Sequence, residues 1–561
     1  MQRDLSELAG IEFDVLVIGG GICGAAAAWD AAQRGLSTAL VERGDFGAAT
    51  SANSLKVVHS GIRYLQHLDV YRVRESSRER TALLRIAPHL VHPLPVVVPA
   101  FGHGLRGPEA LAAAFLLFNG LTWDRNSGLV DPARRILSAR PISPRQVLDW
   151  HPGIDDRQLT GGGLFWDGQL SNPPRLVWEF LRTAGRAGAV IANYCEVVGF
   201  LHRGARVGGV MVHDRLGGER FEVRARVIIN AAGPFAEQLH VQAGLHNGSR
   251  LPLSRDMALV IRRPLVHDRA LAVQTKYRDP SAVLSRGRRH LFLVPWREAT
   301  LIGVNSIIYE GDPNSLAVTQ QEVREFLDEI NESEPTLRLT FDDVAMVHAG
   351  LLPIDADNLA HGNISFGKRP LLVDNAKDGG IEGLITAVTN RYTVARLVAE
   401  QAVDLAFRKL GKRAPACRTA ETPLLGGNFG SAAGLVKEIG VASAALTPKV
   451  AERLAWNHGS TYGDILRVLE QSPEWGETLG TSQTLKAEIV HAVREEMAVK
   501  LADCVFRRTE LGTAGDPGLQ ALEACAELMG RELMWGSSRI AAELAEVRGR
   551  FPSPSGAGTV A

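Results

Sequence analysis

The sequence predicts a mixed α/β fold in which a Rossmann-like domain is interleaved with an antiparallel-sheet domain and followed by a helical domain. Three observations predict it. Residues 13–42 read as strand, glycine turn, helix and second strand, residues 251–343 hold several strand-like apolar runs, and helical apolar spacing prevails beyond residue 413. A chain of 561 residues is long enough for two to four such domains.

The first unit carries the glycine spacing of a dinucleotide site. Gly19, Gly21 and Gly24 follow an apolar, β-branched run in the pattern G-x-G-x-x-G, and Glu42 ends the next apolar run. The first glycine permits a tight turn, the second lets a pyrophosphate approach the backbone, and the third lets helix and strand pack closely. The helix N-terminus favours phosphate, and the acid can accept from ribose hydroxyls. We therefore predict a dinucleotide site here.

The loop after Glu42 favours FAD over a nicotinamide cofactor. Small and hydroxyl residues such as Thr50, Ser51 and Ser54 follow the acid directly, where nicotinamide-binding units usually continue into another simple βαβ step. A histidine, an arginine and a tyrosine come within the next ten residues. Such a loop can run along an extended FAD and bring polar groups to its flavin end.

Composition excludes several classes of function. Lys+Arg and Asp+Glu both number 62, so no global field attracts nucleic acid, and we expect no nucleic-acid partner. The five cysteines show no C-x-x-C spacing, which argues against zinc or thioredoxin-like sites; we expect no metal and a reducing compartment. The N-terminus does not read as a secretory signal, and the longest apolar run, residues 110–118, is too short to span a membrane. We expect a cytoplasmic protein, either free or lying on a membrane surface.

Several motifs together resemble one family. The glycine turn, the segment 42–51 and the run S-x-K-x-x-H-S-G-I-R-Y-L at 54–65 are similar to those of FAD-dependent glycerol-3-phosphate dehydrogenases, which are D-amino-acid-oxidase-like flavoproteins. Segments 87–90, 227–234, 292–296 and 309–313 extend the resemblance, which spans nearly the whole chain. It implies noncovalent FAD, with contacts from Gly19, Gly21, Gly24, Glu42, Arg43, Thr50, Ser51, Ser54, Leu55, His59, Gly233, Thr389, Asn390 and Arg391.

The resemblance and the apolar patterns together divide the chain. An apolar run ending in small residues at 226–233 and a strand–turn–helix pattern at 383–410 belong with the cofactor unit. The helix that begins near 392 would point its N-terminus at the flavin and stabilise negative charge there. The predicted division is an FAD-binding domain at 1–87, 151–250 and 344–412, a substrate-binding domain at 88–150 and 251–343, a helical domain at 413–550 and a disordered tail at 551–561.

The substrate end departs from the family pattern. Leu352 stands where the family has an arginine for the substrate phosphate, Arg391 replaces a lysine, and Ala258 replaces a histidine. A phosphate needs several charge-assisted donors to offset its desolvation. We therefore expect a different hydroxy substrate, for example a carboxylate held by Arg63 or Arg391. The predicted catalytic group is His59, Arg63, Tyr64, His348, Arg391 and Tyr392, with His59, His348 and Tyr392 as unranked candidates for the base.

These features predict an FAD-dependent oxidoreductase that oxidises a secondary alcohol by hydride transfer to flavin, resembling glycerol-3-phosphate dehydrogenase of glycerol metabolism. Two alternatives stay open: an amine or amino-acid oxidase of the same fold, and a non-enzymatic FAD-binding protein. The partners implied are a small hydroxy substrate and either membrane quinone or oxygen as electron acceptor, with a homodimer left open. The family's use of quinone implies peripheral association with the inner face of the cytoplasmic membrane.

Overall fold

A computed structural model describes residues 1–104, 107–245, 251–278, 288–354, 370–443 and 445–553. The predicted fold class is confirmed: two large sheets are combined with many helices, and the helices of the C-terminal part follow the second sheet in the chain. The predicted disordered tail begins at residue 551, and its residues 554–561 lie outside the described part.

The first sheet is built around the strand that precedes the glycine turn. Its members run β16-β17-β10-β1-β2-β7, with β9 paired to β10 and β8 to β9. The inner pairs of β1 with β2 and β10, and of β10 with β17, are parallel, so their carboxyl ends share one edge. The strands are β1 Glu12–Ile18, β2 Thr38–Val41, β7 Val190–Ala192, β8 Cys195–Arg203, β9 Arg206–Asp214, β10 Arg220–Asn230, β16 Leu371–Asp374 and β17 Leu384–Val388.

Close packing at the glycine turn fixes the first helix on this sheet. The helix Ile22–Gln33 is alanine-rich, and almost all of its residues are buried against the sheet and the helices Pro173–Arg186 and Ala395–Lys409. A Cβ on Gly24 would lie 1.9 Å from the carbonyl oxygen of Gly19, a distance that no side chain can occupy. Gly19 itself has φ of +107°, which favours glycine. Turn and helix therefore depend on these two glycines.

The second sheet is largely antiparallel and runs β15-β11-β14-β13-β12-β4-β6-β3, with β5 on β6. Its strands β3, β6 and β15 come from ranges predicted for the FAD-binding domain, so this sheet crosses the predicted boundaries, which stay a prediction. The strands are β3 Val57–Val58, β4 Val91–Phe101, β5 Arg140–Ile142, β6 Leu159–Leu170, β11 Leu253–Ile261, β12 Ala270–Arg278, β13 Arg288–Trp296, β14 Ala299–Tyr309 and β15 Val344–Pro353.

Three prolines lie inside β4, although proline usually interrupts the pairing of a central strand. β4 is nevertheless an eleven-residue strand paired with β6 along its length. Pro93, Pro95 and Pro99 are separated by even numbers of residues, so all three fall on the same side of the hydrogen-bonding ladder. The missing N–H groups are confined to that side, and the other side of the strand pairs normally.

Helices cover both sheets and form the C-terminal part. A π-helical turn at Cys504–Arg508 presents Arg507 and Arg508 to Asp45, in the loop after β2. Burial alone would raise the pKa of Asp45, but the two guanidinium groups lower it to about 2. This buried ion cluster connects the C-terminal helices to the loop 42–56, called the cofactor loop below.

The α-helices of at least five residues in the described ranges are Leu5–Gly10, Ile22–Gln33, Val70–Ile86, Pro108–Leu121, Pro144–Trp150, Pro173–Arg186, Ala236–Gln242, Gln320–Ser333, Asn375–Gly379, Ala395–Lys409, Ala432–Ala442, Pro448–His458, Gly463–Leu469, Lys486–Glu495, Leu519–Leu533 and Ser537–Arg548.

Candidate active site

A cavity of about 2230 Å³ opens at the carboxyl ends of β1, β2, β10 and β17 and extends to the second sheet. β1 lies between β2 and β10, so the connections from its end diverge and leave a crevice, as expected at a topological switch point. Most of the predicted site residues line this cavity: Gly19, Gly21, Glu42, Arg43, Thr50, Ser51, Ser54, Leu55, His59, Arg63, Tyr64, Gly233, Thr389, Asn390, Arg391 and Tyr392. Gly24 and His348 do not.

One end of the cavity has the features of a dinucleotide site. The helix Ile22–Gln33 begins there, and the backbone N–H of Ile22 donates to Ser51 Oγ at 3.0 Å. Among the described residues, a Cβ on Gly21 would come within 4 Å only of that hydroxyl oxygen, at 3.2 Å. Glu42 is held by the N–H groups of Gly20 and Gly44 at 2.6 and 2.8 Å. Helix N-terminus, open backbone and oriented carboxylate fit an ADP moiety.

The remaining predicted cofactor residues form the walls of the cavity. Arg43 lies over the Phe235 ring, with its guanidinium carbon 3.8 Å from the ring centroid, and donates to Asn314. Thr50 donates to the carbonyl of Leu351 at 2.8 Å, which attaches the cofactor loop to β15. Thr389 accepts from the N–H of Arg391 and shapes the turn after β17.

A histidine–carboxylate pair lies at the second-sheet end of the cavity. His59 Nδ1 is 2.9 Å from Asp167 Oδ2, and the other Asp167 oxygen accepts from the N–H of Ser60 at 2.7 Å. Burial alone would raise the pKa of Asp167, but its hydrogen bonds to His59 and Ser60 lower it overall, so the carboxylate is charged at neutral pH. The His59 side chain is 48% exposed. Asp167 therefore holds Nδ1–H, and Nε2 is left as a proton acceptor.

Two arginines near this pair differ in whether a carboxylate offsets their charge. Arg391 donates to Glu75 at 2.5 Å and to Ser76 at 3.2 Å, so a carboxylate offsets its charge. Arg63 is exposed in the cavity and has no hydrogen bond or ion pair with any of the residues that the structure describes. Burial, followed by the charge of Arg63, lowers the pKa of His290 to about 4, so that imidazole is neutral. Arg63 is the cation most available to a ligand.

Tyr64 and Tyr392 take different positions. Tyr64 lies under the guanidinium of Arg72, 4.5 Å from its ring centroid, and faces Arg391 at 5.7 Å. Tyr392 donates its hydroxyl to the carbonyl of Pro173 at 3.2 Å, and burial raises the pKa of that phenol far above its usual value. Tyr392 therefore keeps its proton at neutral pH and is unsuited to the role of base.

His348 does not join the predicted catalytic group. Its Nδ1 lies 3.2 Å from Asn53 Oδ1, and its ring lines a second, smaller cavity. In the sheet His348 lies opposite Ala258, one of the substituted positions, and Ala258 does line the first cavity. Leu352 also lines it, on β15 opposite Ser254. The walls at both substituted positions are therefore apolar.

Sequence reasoning missed three residues of this site: Asp167, Glu75 and Phe292. The ring of Phe292 packs near that of His59, with centroids 6.0 Å apart. Asp167 carried a usable signal, since an acid within the apolar run of β6 must have a buried partner. Glu75 and Phe292 carried none, because Glu75 reaches Arg391 from the helix Val70–Ile86 and Phe292 reaches His59 from the distant strand β13.

The sequence also matches known families. The profile described as FAD dependent oxidoreductase matches residues 14–414, and that of the C-terminal domain of alpha-glycerophosphate oxidase matches residues 417–540. Fold, cavity and matches define the class: the protein is an FAD-dependent oxidoreductase, and the prediction of FAD is confirmed.

Curated relatives place the chain within that class. It is 31% identical over 547 residues to a glycerol-3-phosphate dehydrogenase of Synechocystis, covering 95% of each chain, and 30% identical to an aerobic glycerol-3-phosphate dehydrogenase of Staphylococcus haemolyticus, covering 89% of this chain and 86% of that one. The crystal structure of the Bacillus halodurans glycerol-3-phosphate dehydrogenase with FAD matches with a TM-score of 0.76 and 27% identity, over 97% and 95% of the two chains. The chain belongs to the glycerol-3-phosphate dehydrogenase family. None of the helices in the described ranges is long and apolar enough to cross a membrane.

Proposed function

We propose that this enzyme oxidises the CH–OH group of a small hydroxy compound, with His59 as the base. The observation that carries the proposal is the His59–Asp167 pair at 2.9 Å, at the end of the cavity away from the dinucleotide end. His59 Nε2 takes the hydroxyl proton, and Asp167 orients the ring and stabilises the imidazolium that forms. When bound, FAD would supply the redox chemistry, namely acceptance of a hydride from the carbon that carries the hydroxyl. The product is the corresponding ketone.

The proposed substrate is a hydroxy carboxylate. Arg63 supplies one uncompensated guanidinium, whose planar fork matches a carboxylate in a bidentate geometry. Glu75 offsets the second nearby cation, Arg391. One full positive charge in the pocket balances the charge of a monoanion, but it leaves one of the two negative charges of a phosphate dianion without a counter-charge.

Glycerol 3-phosphate is accordingly proposed to be a poor substrate, although the relatives are named for it. Loss of a charge-assisted donor to a desolvated anion costs about 2–5 kcal/mol, or roughly 30-fold and more in affinity. Leu352 offers no donor in the cavity wall. The ion pair of Arg391 with Glu75 weakens a second charge-assisted donor that the phosphate would need.

Replacing Leu352 with arginine tests this pocket. We expect Leu352→Arg to raise kcat/KM for glycerol 3-phosphate by about tenfold or more, because the new guanidinium faces the same cavity as Arg63. Leu352→Met, which keeps an apolar side chain of similar size, is the control and should leave that value unchanged. Steady-state kinetics decide the matter; equal effects of the two substitutions would contradict the proposed pocket.

We also propose peripheral membrane association, with membrane quinone as the electron acceptor. Leu116 and Trp123 are 77% and 78% exposed on and after the helix Pro108–Leu121. That helix contacts the turn Ile62–His67, and exposed Tyr71 next to the turn lines the cavity. Exposed leucine and tryptophan side chains suit the interface of a bilayer. Leu116 therefore lies on a helix that contacts a wall of the cavity, and Trp123 follows that helix directly.

Sedimentation with phospholipid vesicles checks this location. We expect Leu116→Ser to lower the vesicle-bound fraction, with a loss of affinity of about tenfold, since burial of a leucine contributes about 1.5–3 kcal/mol. Leu216→Ser, at an exposed hairpin turn, is the control and should not change binding. Absence of vesicle binding together with rapid reoxidation by oxygen would contradict the proposal and favour an oxidase.

A further inference from the structure

A second cavity of about 250 Å³ lies behind the cofactor loop. Ala48 and Asn53 line both cavities, so this loop separates them. The other walls come from the second sheet, through Trp296 and His348, and from the C-terminal helical part, through Phe506 among others. The volume is below the usual range for organic ligands and corresponds to about eight waters. It suits a small ion with part of its hydration shell.

Lys56 is the distinctive group in this cavity. Its side chain is buried, with 2% of the residue exposed, yet no carboxylate among the described residues lies within ion-pair distance. Its Nζ is 3.5 Å from the carbonyl oxygen of Ser54 and 4.8 Å from the Trp296 ring centroid. The residue also adopts φ of 60°, a conformation uncommon outside glycine. A buried ammonium so weakly compensated favours an anion nearby.

The other cations of the cavity already have acidic partners. Arg297 pairs with Glu510 at 2.6 Å, Arg507 with Asp503 at 2.6 Å, and Arg550 pairs with Glu546 at 3.1 Å. Lys56 is therefore the basic group of this cavity that has no acidic partner among the described residues. Burial, followed by the charge of Arg297, holds the pKa of Lys56 well below its usual value, a shift that a bound anion would reverse.

His348 supplies the second half of the site. The Asn53 amide nitrogen donates to the carbonyl of Ala49 at 3.0 Å, so Asn53 Oδ1 must accept from His348 Nδ1. Burial, followed by the charges of Lys56 and Arg297, holds the pKa of His348 well below its usual value, and the neutral ring then carries a lone pair on Nε2. This Nε2 is buried and has no hydrogen-bond partner among the residues that the structure describes. A ligand with an O–H group can donate a hydrogen bond to this nitrogen.

We propose that this cavity binds a small oxyanion that carries a hydroxyl proton, of which inorganic phosphate is the simplest example. The Lys56 ammonium donates to an anionic oxygen, and the O–H of the same anion donates to His348 Nε2. A carboxylate lacks that O–H and satisfies only the lysine. The site is separate from the substrate pocket and does not depend on the substrate proposed above.

Arsenate locates the site directly, because it has the charge and hydroxyl of phosphate and scatters anomalously. Crystals of the FAD-loaded enzyme soaked in arsenate should show an arsenic peak between Lys56 Nζ and His348 Nε2. A peak only beside Arg63, or none, overturns the proposal. This result does not require any variant to fold.

Calorimetry of the FAD-loaded enzyme with inorganic phosphate, at constant ionic strength, measures the contribution of the lysine. We expect Lys56→Met to weaken binding at this site by at least about tenfold, because it removes a charge-assisted hydrogen bond. Lys449→Met, at a 76% exposed side chain, is the control and should bind phosphate as the wild type does. Acetate should bind more weakly than phosphate. Equal affinity of Lys56→Met and wild type, or tighter binding of acetate, overturns the proposal.

Discussion

His59→Ala should lower the rate of substrate-dependent flavin reduction by about 10²–10⁴-fold, the usual contribution of a general base. The substitution removes the proton acceptor that Asp167 orients at 2.9 Å and leaves the carboxylate without its partner. The bound FAD should be retained, because the dinucleotide end of the cavity is built from other residues. Anaerobic stopped-flow measurement under single-turnover conditions gives the rate without interference from the electron acceptor.

A matched histidine controls for nonspecific effects of this change. His103 is exposed, pairs with Glu109 and lies outside the cavity, so His103→Ala should reduce its flavin at the wild-type rate. Asp167→Asn should also slow reduction, because it alters the tautomer and orientation of His59. A His59→Ala enzyme within threefold of the wild-type rate, with full FAD content, would rule out His59 as the base.

Gly21→Val should give a folded but colourless protein. The backbone of Gly21 faces the cavity where the pyrophosphate must approach the helix N-terminus, and the valine side chain would occupy that space. In the described part of the chain the new Cβ comes close only to Ser51 Oγ, at 3.2 Å, so the fold itself should survive. Flavin absorbance per chain after gel filtration measures the loss, and circular dichroism checks the fold.

The control for this experiment is a glycine in a similar open setting. Gly10 ends the first helix and lies outside the cavity, and an added Cβ there has no atom of the described residues within 4 Å. Gly10→Val should therefore remain yellow and retain FAD. A Gly21→Val protein with a full complement of FAD would show that the cofactor does not pass over this turn.

The cofactor half of the molecule could be predicted from sequence because its physical requirements are local. The glycine spacing at 19–24 dictates a tight turn and close helix packing, and the structure shows Gly24 pressed against the carbonyl of Gly19. Glu42 follows β2 because the end of a parallel strand is where an acid reaches the crevice. Each of these inferences needs only a short stretch of chain.

The substrate half depends on contacts between distant segments. His59 could be named from sequence, but its partner Asp167 lies on β6 and reaches it only through the second sheet. Arg391 was a candidate for anion binding until Glu75, from a separate helix, offset its charge. His348 was predicted beside the substrate, yet the register of β15 turns it towards another cavity. No local pattern encodes such pairings.

The proposed reaction is oxidation of a hydroxy carboxylate in a pocket that disfavours phosphate. Anaerobic titration of the yellow wild-type enzyme tests it, with lactate and glycerate, sn-glycerol 3-phosphate and primary amines as separate reductants. We predict that a hydroxy carboxylate reduces the flavin with a kcat/KM at least about 30-fold above that of glycerol 3-phosphate. Faster reduction by glycerol 3-phosphate, or reduction by an amine alone, would contradict the account.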